Sequence, residues 1–429
     1  MSAKPPAGLL FVLWCAVGVG PLLTYGLSTT SSLVIKDLGI SESEFGLLAT
    51  VTFFTASLAA VWLGKLADQV SQRTALLIIF GGASASMLVA AFAHSYILLI
   101  VAMAISGGAQ AMANPGTNRV VMHLDQPDKH SGWIGVKQSG VQGAQLFAGI
   151  FFPAVALFAG WQGAAAGAAV VAIGLGILGW SRAPRGDGVR PTAGRMPSAS
   201  GSRSFRERGK DRALLGILSR TKTPKAGRQR LPTIVWTYAA AAFATGAGIQ
   251  ATNVYLPLFS QRELGFNLVL AGLTAALAGV VGLSSRIFWG RAMGRNRNGF
   301  SVLLILAAGA ALGALLLLAS APTQQPWMLW VGTFLHGATA LAVNVVVLAG
   351  VMAEVPRERA GAASGAVSLG MYVGFGTGPL IMGVLLEASG GFQTGWTFVI
   401  ASYLLCALLL LSAKLARQGQ PPRPESEAA

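Results

Sequence analysis

GGAQAMAN, Gly107–Asn114, returns as GATALAVN, Gly337–Asn344, at an offset of 230 residues in a chain of 429. Self-similarity at a fixed offset is the mark of a duplicated unit. Working outward, DLGI (Asp37–Ile40) falls on ELGF (Glu263–Phe266), Gly46 on Gly272, and Gly64 on Gly290. Further on, Gly135 and Gly140 fall on Gly365 and Gly370. The agreement reaches four apolar runs of each half, which chance matching of apolar text would not produce. The chain therefore reads as two related halves.

Each half contains six runs long and apolar enough for a bilayer, which needs about 20 residues per crossing. They lie near 9–34, 44–64, 74–93, 96–119, 134–158 and 161–181, then 233–259, 267–290, 300–320, 326–352, 361–386 and 393–416. The predicted fold is an all-α integral membrane protein, with twelve transmembrane helices in two pseudo-symmetric six-helix bundles. Its parts would be 1–181, a basic linker at 182–231, 232–417 and a tail at 418–429. Only 11% of residues are charged and 53% are hydrophobic, too little charge to cover a soluble surface. Cys15 and Cys406 sit far apart in apolar runs, so no disulfide framework is implied. The first run lacks an A-x-A-like cleavage site and reads as a retained helix.

The formal charge of +16 invites a nucleic-acid reading, but its distribution argues against one. Of 31 Lys and Arg, 14 lie between Arg182 and Arg230. Most others alternate with the spans: Lys65/Arg73, Arg119/Lys129, Arg291/Arg295/Arg297 and Arg357/Arg359 share one side with the linker and the tail. The opposite gaps hold only Lys36 and Arg262, against Asp37, Glu42, Glu44, Glu263 and Glu387. Basic residues stay in the cytoplasm. Both termini and the linker are expected there, in an inner-membrane, multi-pass protein.

At GKLADQVSQR, Gly64–Arg73, the chain resembles the major facilitator superfamily, whose loop between the second and third helices reads G-x-L-a-D-r-x-G-R. Gly64, Leu66, Asp68 and Arg73 match, and Ser71 stands for the second Gly. The resemblance implies a transporter whose halves rock about a midplane site, with Gly64, Asp68 and Arg73 as a cytoplasmic gate. A solvated loop pair is the bland alternative. Gly294 replaces the Asp in the second copy. The Arg that many proton antiporters carry is absent, since its position is Ala104. The G-x-x-x-G-P-x-x-G-G run of drug–proton antiporters lacks its Pro in GVQGAQLFAG, Gly140–Gly149.

Arg286 stands one turn before Gly290 inside AGVVGLSSRIFWG. An Arg within a span marks a candidate site, and its fork suits a carboxylate. The pattern is similar to the substrate-binding Arg of monocarboxylate and oxalate–formate transporters, though their helix-1 signature and acidic partner are missing. The competing reading is snorkelling to lipid phosphate. On the fifth span Lys137, Gln138, Gln142 and Gln145 predict a polar stripe facing the cavity. Lys137 has Val367 as its mate, so one half alone supplies this cation, which with Arg286 would clamp an anion; interfacial anchoring is the alternative.

Further candidates on spans that line the cavity in this superfamily are Tyr25, Asn114, Asn253, His336, Asn344 and Tyr372. Each would serve equally to bridge helices. His336 alone among four histidines lies well inside a span, so it is the side chain suited to proton exchange. No Asp or Glu lies deep in any span. No P-loop, G-x-S-x-G or metal-ligand cluster occurs, so no enzyme chemistry, cofactor or metal is expected. The reading is a monomeric transporter of a small organic anion, a carboxylate in the first instance, with an exporter of lipophilic compounds as the alternative and protons as a candidate coupling ion.

Overall fold

The computed structural model describes residues 7–122, 130–183, 231–295, 299–356 and 359–418. Most of the basic linker and nearly all of the tail lie outside the described residues. The described residues are almost entirely helical: α1 (Ala7–Thr29), α2 (Ser31–Leu38), α3 (Glu42–Gln69), α4 (Gln72–Ala91), α5 (Tyr96–Met122), α6 (His130–Gln138) and α7 (Gly140–Arg182) form the first half. The second half comprises α8 (Thr233–Leu264), α9 (Leu268–Arg295), α10 (Gly299–Thr323), α11 (Pro326–Ala338), α12 (Val343–Glu354), α13 (Ala360–Ser389) and α14 (Phe392–Gln418).

Local chemistry sets these boundaries. Ser41 opens α3 with a capping box: its side chain accepts from the Glu44 N–H, and the Glu44 carboxylate accepts from the Ser41 N–H. Pro326 begins α11, where its missing N–H costs nothing. Gly39 and Gly265 end α2 and α8 with φ of 61° and 66°, a region that favours glycine. Gly160 and Gly390 both take φ of 68°. Each pair are mates in the repeat, so the duplication seen in the letters is also present in backbone dihedrals. Over 111–120 and 341–350 the sequence of buried and half-buried positions is identical.

Among the described residues, ten helical stretches are long and apolar enough to cross a membrane. One of them, Trp133–Arg182, runs 50 residues and folds back at Gly160, since a Cβ on Gly167 would touch the Phe151 ring. It supplies the fifth and sixth crossings. α8 is the seventh crossing and brings the total to twelve; Gln250, Asn253 and its polar last turn dilute its apolar content. The tenth crossing is α11 joined to α12 through a 3₁₀ turn at Ala340–Ala342.

Two long seams join the halves, α3 on α13 and α9 on α7, and the repeat makes them equivalents. Glycine lets the backbones touch, as expected where close packing replaces a hydrophobic drive. A Cβ on Gly46 would meet the Pro379 carbonyl, and one on Gly149 would stand 2.6 Å from the Gly272 oxygen. At the acidic end both seams are closed. There Glu42 pairs with Arg262, the Tyr255 hydroxyl donates to the Glu42 carbonyl at 2.6 Å, and Ser32 donates to Gln261 Oε1 at 2.7 Å. Toward the end carrying the termini the seams differ. α3 and α13 last meet where Phe53 packs on Tyr372 and Phe375. Beyond that point Ala60 and Leu369 are exposed, and a Cβ on Gly365 or Gly361 would meet open space. The α7–α9 seam continues through Gly279 and Gly282 to Arg286.

Candidate functional site

The site lies where the fifth and tenth crossings lose their helical continuity. α6 stops at Gln138 and α7 starts at Gly140, with the Gln142 N–H donating to Ser139 instead of Gln138. The Gln138 carbonyl is thereby freed. Arg286 Nη1 donates to it at 2.9 Å, while Arg286 Nε donates to the Leu341 carbonyl at 3.1 Å in the 3₁₀ turn. Two neighbours on α9 serve the same break. Ser285 donates to the Gly337 carbonyl at 2.8 Å, and Trp289 Nε1 donates to the Ala338 carbonyl at 2.9 Å. Backbone groups unsatisfied in a membrane interior cost several kcal/mol, of order those of any buried polar group. Three α9 side chains thus make the unwound turn affordable.

Lys137 is fully buried. Its ammonium donates to Thr117 Oγ1 at 2.9 Å and Asn114 Oδ1 at 3.3 Å, both on α5. Gln138 Nε2 donates to the same Asn114 oxygen at 2.9 Å. The two cations are therefore linked through Gln138 and Asn114, one from each half. Neither has a carboxylate partner among the described residues. Arg286 keeps Nη2 free of any hydrogen bond there, aimed by the two carbonyls that hold the rest of the fork. Tyr25 is buried within electrostatic range of Arg286, and the Tyr372 hydroxyl faces Asn114 from the opposite half.

A second polar layer lies deeper. Gln145 Nε2 donates to Asn253 Oδ1 at 3.1 Å, His336 Nε2 shares that oxygen at 3.1 Å, and Asn253 Nδ2 donates to Gln250 Oε1 at 2.8 Å. Ser28 adds a bond to the Asn253 carbonyl at 2.7 Å. All of these side chains are buried, and Gln145 Oε1, Gln142 Oε1 and Gln250 Nε2 find no partner. Amides carry both donors and acceptors, so such orphans are where water or a solute would bind.

The expected polar stripe on the fifth span is thus divided. The break at Ser139 turns Lys137 and Gln138 toward α5, whereas Gln142 and Gln145 face α9 and α8. Asn344 begins α12 next to the break and makes no hydrogen bond with the described residues. Thr117 was not singled out from sequence; its signal is its place one turn past Asn114. At the other candidate locus, Gly64 meets open space and Arg73 reaches the Ala183 carbonyl at 3.4 Å while its guanidinium covers the Trp180 ring at 5.5 Å. The Asp68 side chain lies outside the described residues. Arg119 donates to the Ala67 and Val70 carbonyls at 2.7 and 2.8 Å, closing the last turn of α3.

Twelve crossings in two equivalent halves, with polar side chains gathered between them, define a membrane transporter. The chain belongs to the Major Facilitator Superfamily, whose family profile matches residues 13–330 and 300–429. It is similar to the tetracycline resistance protein, class B, of Escherichia coli, at 25% identity over 443 residues and the full length of both chains. Among solved structures it resembles a D-xylose–proton symporter, at 14% identity and TM-score 0.72, covering 95% of this chain and 97% of that one. It also resembles a bacterial homolog of the human lysosomal transporter Spinster in an inward-facing, occupied conformation, at 16% identity, TM-score 0.68 and 98% of each chain. At such identities these structures speak to the fold. The twelve-helix expectation, the superfamily assignment and the non-enzymatic reading hold.

Proposed function

We propose that the protein carries a small organic anion, a carboxylate in the first instance, across the cell's inner membrane by alternating access. The observation behind this is the pair of cations, Lys137 and Arg286, brought together from opposite halves with only neutral oxygens as partners. A buried charge without a counter-ion is costly, and an incoming anion would supply the missing charge. The positive-inside rule makes the basic end cytoplasmic, so this conformation is open inward. The loop from Gly64 to Arg73, with Asp68, then lies at the opening as the cytoplasmic gate. Gln142, Gln145, Asn253 and His336 would bind the rest of the solute, with Tyr25, Asn344 and Tyr372 at its margins. Proton coupling, if present, falls to the solute or to His336, since no carboxylate lies deep in a span. The purified monomer, screened by thermal shift against small carboxylates and inorganic anions, should be stabilised by one of them. A flat response to all of them, with stabilisation by neutral lipophilic compounds, would overturn the reading.

A second reading, export of lipophilic compounds, rests on the full-length match to a tetracycline resistance protein. It also has a place to put them: an apolar crevice of about 650 Å³ between α1 and the two arms of α7, lined by Trp14, Leu22, Phe147, Phe151 and Leu175. Efflux of a lipophilic dye that persists in Lys137→Gln would favour this reading.

A further inference from the structure

The two seams are copies of one another, yet only one is fastened at the cytoplasmic end, and three unpaired differences account for it. First, Arg286 has Ala60 as its mate, while Ser285 and Trp289 have Ala59 and Leu63. Every donor that α9 offers is thus replaced by an apolar side chain on α3. Second, the unwound turn Ala340–Ala342 corresponds to 110–112, which is uninterrupted helix within α5. Third, the break at Ser139 corresponds to Leu369, inside the unbroken α13. The α9 donors and the carbonyls they reach, at Gly337, Ala338, Leu341 and Gln138, have no counterpart at the same end of the α3–α13 seam, whose own bond, from Thr50 to the Gly376 carbonyl at 2.6 Å, lies between the Gly46 and Phe53 contacts. Three independent departures from symmetry that fit one another are not packing noise.

We propose that Arg286 is a staple that makes the cytoplasmic end of the α7–α9 seam the pivot of the transport cycle. The guanidinium holds a carbonyl of each half in one rigid fork, Gln138 and Leu341, a geometry that an ammonium cannot reproduce. The halves part at the cytoplasm along α3–α13, where Ala60 stands in place of Arg286, Leu369 in place of Ser139, and both are exposed. When the cytoplasmic side closes, the α7–α9 seam opens at its far end by losing the Gly149–Gly272 contact while the staple persists. Lateral opening is thereby confined to one side of the molecule. Arg286 acts here through the backbone of α6 and α12, as a positioning residue, and the inference needs only the superfamily fold, whatever the solute.

Solute-free protein in lipid nanodiscs, with Cys15→Ala and Cys406→Ala, separates this from a purely solute-binding Arg286. Spin labels on the exposed positions Val136 and Ile287 report the stapled seam, and labels on Ala60 and Leu369 report the other. The expected result is a narrow distance distribution for the first pair and a broad one for the second. Arg286→Gln and Arg286→Lys should both broaden the first pair by several ångströms and leave a pair at the acidic end unchanged. An unaltered first pair in both variants overturns the staple. Should these variants fail to fold, cross-linking decides with Arg286 intact. A flexible bis-maleimide joining Val136→Cys to Ile287→Cys should leave flux within twofold, and one joining Ala60→Cys to Leu369→Cys should cut it more than tenfold. Equal loss from both cross-links overturns the pivot.

Discussion

The α3–α13 and α7–α9 seams begin from related sequence and end in different states. At the acidic end they are near-copies: Gly46 against Pro379 in one, Gly272 against Gly149 and Pro153 in the other. Midway they diverge, because Phe53 and Phe375 fill one seam with rings where Gly279 and Gln145 stand in the other. At the end carrying the termini one seam is fastened by Arg286 and the other is open. Duplication supplied the scaffold, then, and the mismatched positions hold the features on which the proposed function rests. The same positions carry the unpaired charges.

That comparison can be broken in several places. The largest effect is expected at Lys137. Lys137→Gln should weaken anion binding at least tenfold, measured by calorimetry, which corresponds to about 1.4 kcal/mol or more. It should at the same time raise the melting temperature of the solute-free protein, because an unpaired buried cation is removed. A stabilised protein with unchanged anion affinity would make Lys137 structural. Next come the glycine contacts. Gly272→Val drives side-chain atoms into Pro153 and the Gly149 carbonyl, an overpacking that typically costs roughly 1–3 kcal/mol. Gly365→Ala, in open space, should be silent in the same thermal assay. If the two behave alike, the seams are not the contacts they are described to be.

A smaller loss is expected in the deep polar layer. Asn253→Leu strands Gln145 and His336, which both use Asn253 Oδ1, and each buried orphan costs about 1–3 kcal/mol, partly relieved by water. Asn253→Asp should retain the acceptor and lose less. The smallest effect belongs to Glu42–Arg262, a partly exposed pair between the halves. Such pairs contribute roughly 0–1 kcal/mol and are screened by salt. Glu42→Gln should therefore shift the balance toward outward-open protein by a few fold at most, less so in high salt, in a spin-label assay across the acidic end.

Much of this was legible in the letters. The repeat identified the mates that later shared φ values at Gly39/Gly265 and Gly160/Gly390, because glycine is required where φ is positive. Hydropathy gave the crossings, since lipid demands helices of that length. Arg286 and Lys137 stood out because cations inside apolar runs are rare. The two helix breaks did not stand out. Ala340–Ala342 reads ALA, among the best helix formers, and it unwinds only because Ser285, Arg286 and Trp289 arrive from another helix. A tertiary cause leaves no local signal. The same holds for Thr117, whose role depends on Lys137 entering from α6, and for Glu42–Arg262, two charges that sequence reading placed on one side of the membrane without pairing them.

The central claim is that an anion completes the charge left between Lys137 and Arg286. Flux of radiolabelled small carboxylates into proteoliposomes, for the native protein and for Lys137→Gln, tests it most directly. The account predicts saturable, inhibitor-competed uptake of at least one carboxylate that falls at least tenfold in the variant. Undiminished carboxylate flux through Lys137→Gln, or no carboxylate flux in protein that still exports a lipophilic dye, would contradict it.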